Sequence, residues 1–154
     1  MNCKTSEVEI LEGLNPRLTA VIMEAKEITE RDVVVVEGKR TRERDNTLRL
    51  LGETMGKSDV RIYGNAATIF VYSEGIPCIT KDIYYDLAEA MRYAGENLNT
   101  PINWGGARDI NGYVDITKWH STIEELFEAT WGDLMAHQEY DILPYFQYFQ
   151  LHAE

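Results

Sequence analysis

Behind Thr80, the residues Ile83, Leu87, Met91, Ala94 and Leu98 recur every three to four positions, and nothing else in the sequence restricts the fold so far. Such a stripe predicts a long helix, capped by Thr80, whose apolar face must be covered by a sheet. Two segments supply strands. DVVVVEG (32–38) is β-branched on consecutive positions, which predicts a strand buried on both faces and ended by Gly38, and ATIFVY (67–72) predicts a second. Asn15 and Pro16 form an N-cap and first-turn pair for a helix over 16–30, with Leu18, Val21, Ile22, Ala25 and Ile28 on one face.

From Thr41 the chain is charged, with Leu48, Leu51 and Met55 at helical spacing. After PINWGG comes a polar turn, RDING, and then a helix over 121–137 opened by a Ser121/Glu124 capping box. Its stripe is Ile123, Leu126, Phe127, Thr130, Trp131 and Leu134. The closing run PYFQYFQL alternates loosely and suits a strand. No repeat or linker interrupts the chain. The expected fold class is therefore α+β: a single small domain over 1–154, a mostly antiparallel sheet with helices packed on it.

A chain of 154 residues supports one core. Its formal net charge of -11 argues against direct nucleic-acid binding, which needs a basic face to neutralise phosphate. An acidic decoy for a nucleic-acid-binding protein is compatible with that charge. Cys3 and Cys78 are far apart and show no C-x-x-C spacing, so two free thiols are expected. The N-terminus MNCKTSEVEI lacks an apolar stretch and no segment approaches 18 apolar residues, so no membrane span is expected and the cytoplasm is the expected place of action.

Four segments in order carry a resemblance: EGKRT (37–41), RIYGNAAT (61–68), INWGG (102–106) and DILPYFQ (141–147), with the helix LAEAMRYA (87–94) ahead of the third. Together they resemble the D,D-carboxypeptidase and L-alanyl-D-glutamate endopeptidase family of zinc cell-wall peptidases, including phage endolysins of that fold. The resemblance implies a zinc held by His and Asp of an H-x-x-G-x-A-x-D motif and by a second His of a D-x-x-H-F motif, with water in the open position. The metal lowers that water's pKa and a nearby carboxylate moves the proton.

Gly64 and Ala66 match the motif's glycine and alanine, which puts Arg61 at the first His and Thr68 at the Asp. Matching Asp141, Phe146 and Gln147 to the terminal motif puts Tyr145 at the second His. Arg does not surrender its proton, Thr is a poor neutral ligand and one phenolate does not hold a divalent ion, so no zinc and no other cofactor is expected. His120 is a rival for the third position, whereas His137 and His152 read as surface or packed residues. Arg40 matches an arginine beside the family's cleft. It is either a carboxylate anchor or a structural partner of Glu37 or another acid, and Asp45 replaces a neighbouring family glutamine. Gly64, Trp104, Gly105 and Gly106 persist as cleft scaffold, the tryptophan filling core volume and the paired glycines beside it allowing a turn with positive φ.

The resemblance thus implies a non-catalytic relative of a zinc cell-wall peptidase, phage-encoded, working in a bacterial host's cytoplasm or in a virion through contact with a protein partner. The residues after WGG form a helical insertion, about 107–140. Its Trp119, with Glu125 and Glu128 on the polar face, is the expected partner surface. Rival readings are a peptidoglycan hydrolase with ligands elsewhere, a stem-peptide binder anchored by Arg40, and the acidic decoy.

Overall fold

The computed structural model describes residues 3–52, 58–109, 112–132 and 143–152. Helices α1 (Cys3–Gly13) and α2 (Pro16–Ile28) precede strand β1 (Asp32–Glu37), followed by α3 (Arg42–Leu50) and α4 (Ser58–Ile62). A hairpin of β2 (Ala66–Ser73) and β3 (Ile76–Pro77) leads into α5 (Lys81–Asn97). Then come β4 (Ile102–Asp109), β5 (Gly112–Asp115), a 3-10 turn (Ile116–Lys118), α6 (Ile123–Phe127) continuing as a π turn (Glu128–Gly132), α7 (Leu143–Phe146) and β6 (Tyr148–Leu151). The sheet order is β1-β2-β6-β4-β5, with β3 added to β2. Every pairing is antiparallel, so the α+β expectation holds.

Period two divides the sheet into two unlike faces. Val33, Val35, Ala67, Ile69, Val71 and Phe149 join the core, where Leu18, Val21, Ile22 and Ala25 of α2 and Leu87, Met91 and Ala94 of α5 cover them. The buried Tyr84 hydroxyl lies 3.2 Å from the Val71 amide, 2.9 Å from the Cys78 carbonyl and 3.1 Å from Gln147 Nε2, which ties α5 to β2 and to the turn before β6. Asn15 caps α2 as expected, its side chain accepting from the Arg17 amide at 2.9 Å and donating to Asn65 at 3.0 Å.

Several expectations need correction. The DVVVV segment is an edge strand, not one buried on both faces: Val33 and Val35 are buried, Val34 and Val36 only half so. Helix α1 was not foreseen. Glu7 secures it by pairing with Lys26 and accepting from the Val35 amide at 2.8 Å. On α3 the buried residue is Asp45, whereas Leu51 just beyond it is 64% exposed. Thr80 stands at the N-cap of α5 but makes no capping bond, and Leu98 is partly exposed.

Arg108, Asp109 and Gly112 of RDING belong to the paired strands β4 and β5, so the stretch read as a helical insertion from 107 begins as strand and reaches α-helix only at Ile123. There Thr122, rather than Ser121, is the cap, accepting from the Glu125 amide at 3.1 Å, while Ser121 bonds the Glu125 carboxylate. The closing aromatic run is part helix, α7, and only then strand. Met55, Leu134, His137 and Asp141 lie outside the described residues, as do the side chains of Cys3 and Trp131; Cys78 is a free thiol. Among the described residues no helix is long and apolar enough to cross a membrane.

Trp104 is fully buried on β4, its indole N–H donating to the Phe146 carbonyl at 2.9 Å. The glycines beside it serve close approach, not a positive-φ turn. A Cβ on Gly105 would stand 2.2 Å from the Tyr145 carbonyl oxygen, and one on Gly106 would strike the Trp104 ring at 2.5 Å. Gly105→Ala must therefore part β4 from α7, an overpacking that should cost about 1–3 kcal/mol. A lower urea midpoint at unchanged m-value is expected; an unchanged midpoint would mean that the two elements separate freely.

Candidate functional site

The face of the sheet turned away from α2 and α5 carries charge. Thr68 of β2 stands opposite Tyr148 of β6 on one side. On its other side the register slips by one residue after Val35, so Glu37 rather than Val36 faces Thr68. This bulge aims a carboxylate where strict alternation would have put a valine. Helix α4 ends over the same place. Gly64 stops it with φ +76, where a Cβ would also lie 2.6 Å from the Gly13 carbonyl, so only glycine lets the helix end against the α1–α2 turn.

Arg61, in the last turn of α4, is 2% exposed. Its Nη2 donates to Thr68 Oγ1 at 3.0 Å, and its guanidinium carbon lies 4.7 Å from the centre of the Tyr148 ring, a cation–π contact. The structure thus brings Arg61 and Thr68 together. The aromatic residue beside them is Tyr148; Tyr145 sits on α7 with its backbone against Gly105. Tyr148 in turn packs against Tyr113 of β5, ring centres 5.4 Å apart. Burial pushes both phenols above their ordinary pKa, against the opposing charge of Arg61 for Tyr148 and of Arg108 for Tyr113. Tyr148 therefore stays neutral across physiological pH.

Arg40 is no free anchor. It donates to Glu37 Oε1 at 2.5 Å and to Asp45 Oδ1 at 3.1 Å, so the structural alternative read from the sequence is the one its contacts show. Asp45 is fully buried and also accepts from Arg49 Nε at 2.7 Å, while Arg44 lies 3.6 Å from Glu37. The Arg40 amide bonds the Arg61 carbonyl at 3.1 Å, which fixes the network to the end of α4. Burial alone would raise the Glu37 carboxyl, but the hydrogen bond and charge of Arg40, helped by Arg61 and Arg44, hold it below its ordinary value.

These side chains do not suit zinc. A guanidinium keeps its proton and repels a cation, a threonine hydroxyl is a weak ligand, and a buried neutral phenol offers no anion. Among the described residues no three His, Cys, Asp or Glu stand together in a metal-holding group. His120 is exposed beyond the 3-10 turn, and His152 bonds Asn103 at 2.7 Å. Trp119 is half-buried, packed on the core with its indole N–H on the Thr122 carbonyl at 2.9 Å, while Glu125 and Glu128 are exposed on α6 and the turn after it.

Sequence reasoning missed Tyr148, although a signal was there. D-x-x-H-F spaces its acid three residues before its His, and Asp141 stands four before Tyr145. Tyr145-Phe146-Gln147-Tyr148-Phe149 keeps the right spacing and the phenylalanine.

No family model matches the chain, and no curated protein does. Among solved structures it is similar to the L-Ala D-Glu endopeptidase ChiX of Serratia marcescens. The TM-score is 0.66 at 21% identity, over 95% of this chain and 86% of that one. The chain shares the fold of that endopeptidase.

A folded-state pKa below the ordinary 4.5 means that Glu37 stabilises the fold above that pH and loses the contribution as pH falls through the folded value. The wild-type urea midpoint should therefore fall more steeply below about pH 5 than that of Glu37→Gln. Parallel pH profiles would remove Glu37 from the stabilising network.

Proposed function

We propose that this chain is a non-catalytic relative of the zinc cell-wall peptidases, in which the guanidinium of Arg61 occupies the position of the metal. The carrying observation is that Arg61, Thr68 and Tyr148 meet on one sheet face, the first two 3.0 Å apart and the third stacked on the guanidinium. Arg61 and Thr68 take the places of the first His and the Asp in the family's motif. The spacing of D-x-x-H-F assigns the second His to Tyr148 and the motif's acid to Tyr145. Tyr145 stands one residue too far from Asp141 for the His of that motif.

With a protonated cation in place of a Lewis acid there is no group to lower the pKa of water, so the reaction lacks its nucleophile. What persists is a shaped face, and the function assigned to it is binding. Resemblance to phage endolysins of this fold supports a phage source and a partner protein in the bacterial host or the virion. The exposed Glu125 and Glu128 offer an acidic surface for that partner. Trp119 serves it from below by holding the Thr122 cap segment.

Restoring ligands tests the assignment. Arg61→His with Thr68→Asp and Tyr148→His should gain close to one zinc per chain after dialysis, and the same pair with Tyr145→His should retain much less. Equal zinc in both would return Tyr145 to the third position. Chelator-sensitive cleavage of muropeptides by the unmodified protein would overturn the non-catalytic reading and favour a hydrolase with ligands elsewhere.

A further inference from the structure

Arg61 poses an energetic problem that its neighbours leave unsolved. Its Nε and Nη1 are buried, and among the described residues neither has a hydrogen-bond acceptor. Burying a charged donor without a partner is among the costlier things a fold can do, and such groups are rare in native proteins. Nor does a carboxylate among the described residues pair with it directly. Glu37 is taken by Arg40 and Arg44, and Asp45 by Arg40 and Arg49. Among the described residues Arg61 forms no ion pair, and the neighbouring Arg40 sets a like charge against it. That unpaired charge lies in a chain whose formal net charge is -11.

The geometry points to a site for a small oxyanion, a carboxylate or a phosphate group, held by the Arg61 guanidinium between Thr68 and Tyr148. Two orphaned donors call for acceptors, and the uncompensated charge calls for an anion, so a neutral water answers only the first need. A guanidinium presents its N–H groups in one plane, where the two oxygens of an anion can accept from an orphaned nitrogen and from the Nη2 beside it, while Tyr148 holds that plane from one side. The inference does not require descent from a zinc enzyme. It rests on burial, charge and the orphaned donors of this chain alone.

The test is a set of melting curves of the full chain in inorganic phosphate and in acetate, each against sodium chloride at equal ionic strength. The wild type should show a saturable rise in melting temperature that chloride does not reproduce. A rise in acetate alone assigns the site to a peptide-type carboxylate, and a rise in phosphate alone assigns it to a phosphate group. Arg61→Lys, which keeps the charge and loses the fork, should raise the half-saturating concentration about tenfold or more. Arg61→Met should lose the response, yet melt in chloride no lower than the wild type, because it removes an unpaired buried charge. Should Arg61→Met fail to fold, the side-chain Nε–H resonance of Arg61 in the wild type must shift on titration with the responding anion. No saturable response to either anion, or an equal response without the guanidinium, overturns the proposal. Zinc uptake by the restored-ligand variants is independent of all these outcomes.

Discussion

The hydrogen bond from Arg61 to Thr68 joins the end of α4 to the middle of the sheet, and much of the charged face is arranged around it. A buried guanidinium there sets what its neighbours can be. Thr68 offers an oxygen, Tyr148 a ring face, and the Arg40 amide holds the Arg61 carbonyl. The bulge after Val35 then matters energetically, because it places Glu37 within reach of Arg40 and lets a carboxylate share the site's positive charge. With Asp45 between Arg40 and Arg49, the face becomes an alternating lattice of charges rather than a hydrophobic surface. Breaking such a lattice by removing one member strands another in a poorly solvated place.

In the proposed reading, an arginine in a metal's position conserves the sign of the charge and inverts the chemistry. Zinc accepts lone pairs and makes bound water acidic; a guanidinium donates hydrogen bonds and makes nothing acidic. A face built this way still attracts anions and has no means of generating a nucleophile. Retention of the fold beside loss of the ligands is what this difference leads one to expect, since the core on the opposite face, from Leu18 to Phe149, does not depend on the metal.

The sequence disclosed the elements whose burial follows a local period. Helices α2 and α5 and strands β1 and β2 all show in their apolar spacing, because each faces one continuous core. Strand β4 was illegible because Gly105 and Gly106 interrupt its pattern for the sake of close backbone approach to Tyr145 and Trp104. Helix α1 is held by Glu7 through Lys26 and Val35, partners distant in sequence that no periodicity reports, and α3 by its buried Asp45, whose nearby partners Arg40 and Arg49 are charged and leave no apolar stripe. Arg61 and Thr68 were legible as a pair through their motif. Tyr148 was not, because the motif was anchored on Asp141, one residue too far from Tyr145 for the D-x-x-H spacing.

The central claim is that a guanidinium has replaced the metal, and the metal content of the unmodified protein tests it most directly. Protein purified without chelator, equilibrated with zinc and freed of loosely bound ions should hold far less than one zinc per chain, with the same melting temperature in chelator as without, because folding creates no ligand set. One zinc per chain, lost in chelator together with stability, would contradict the account.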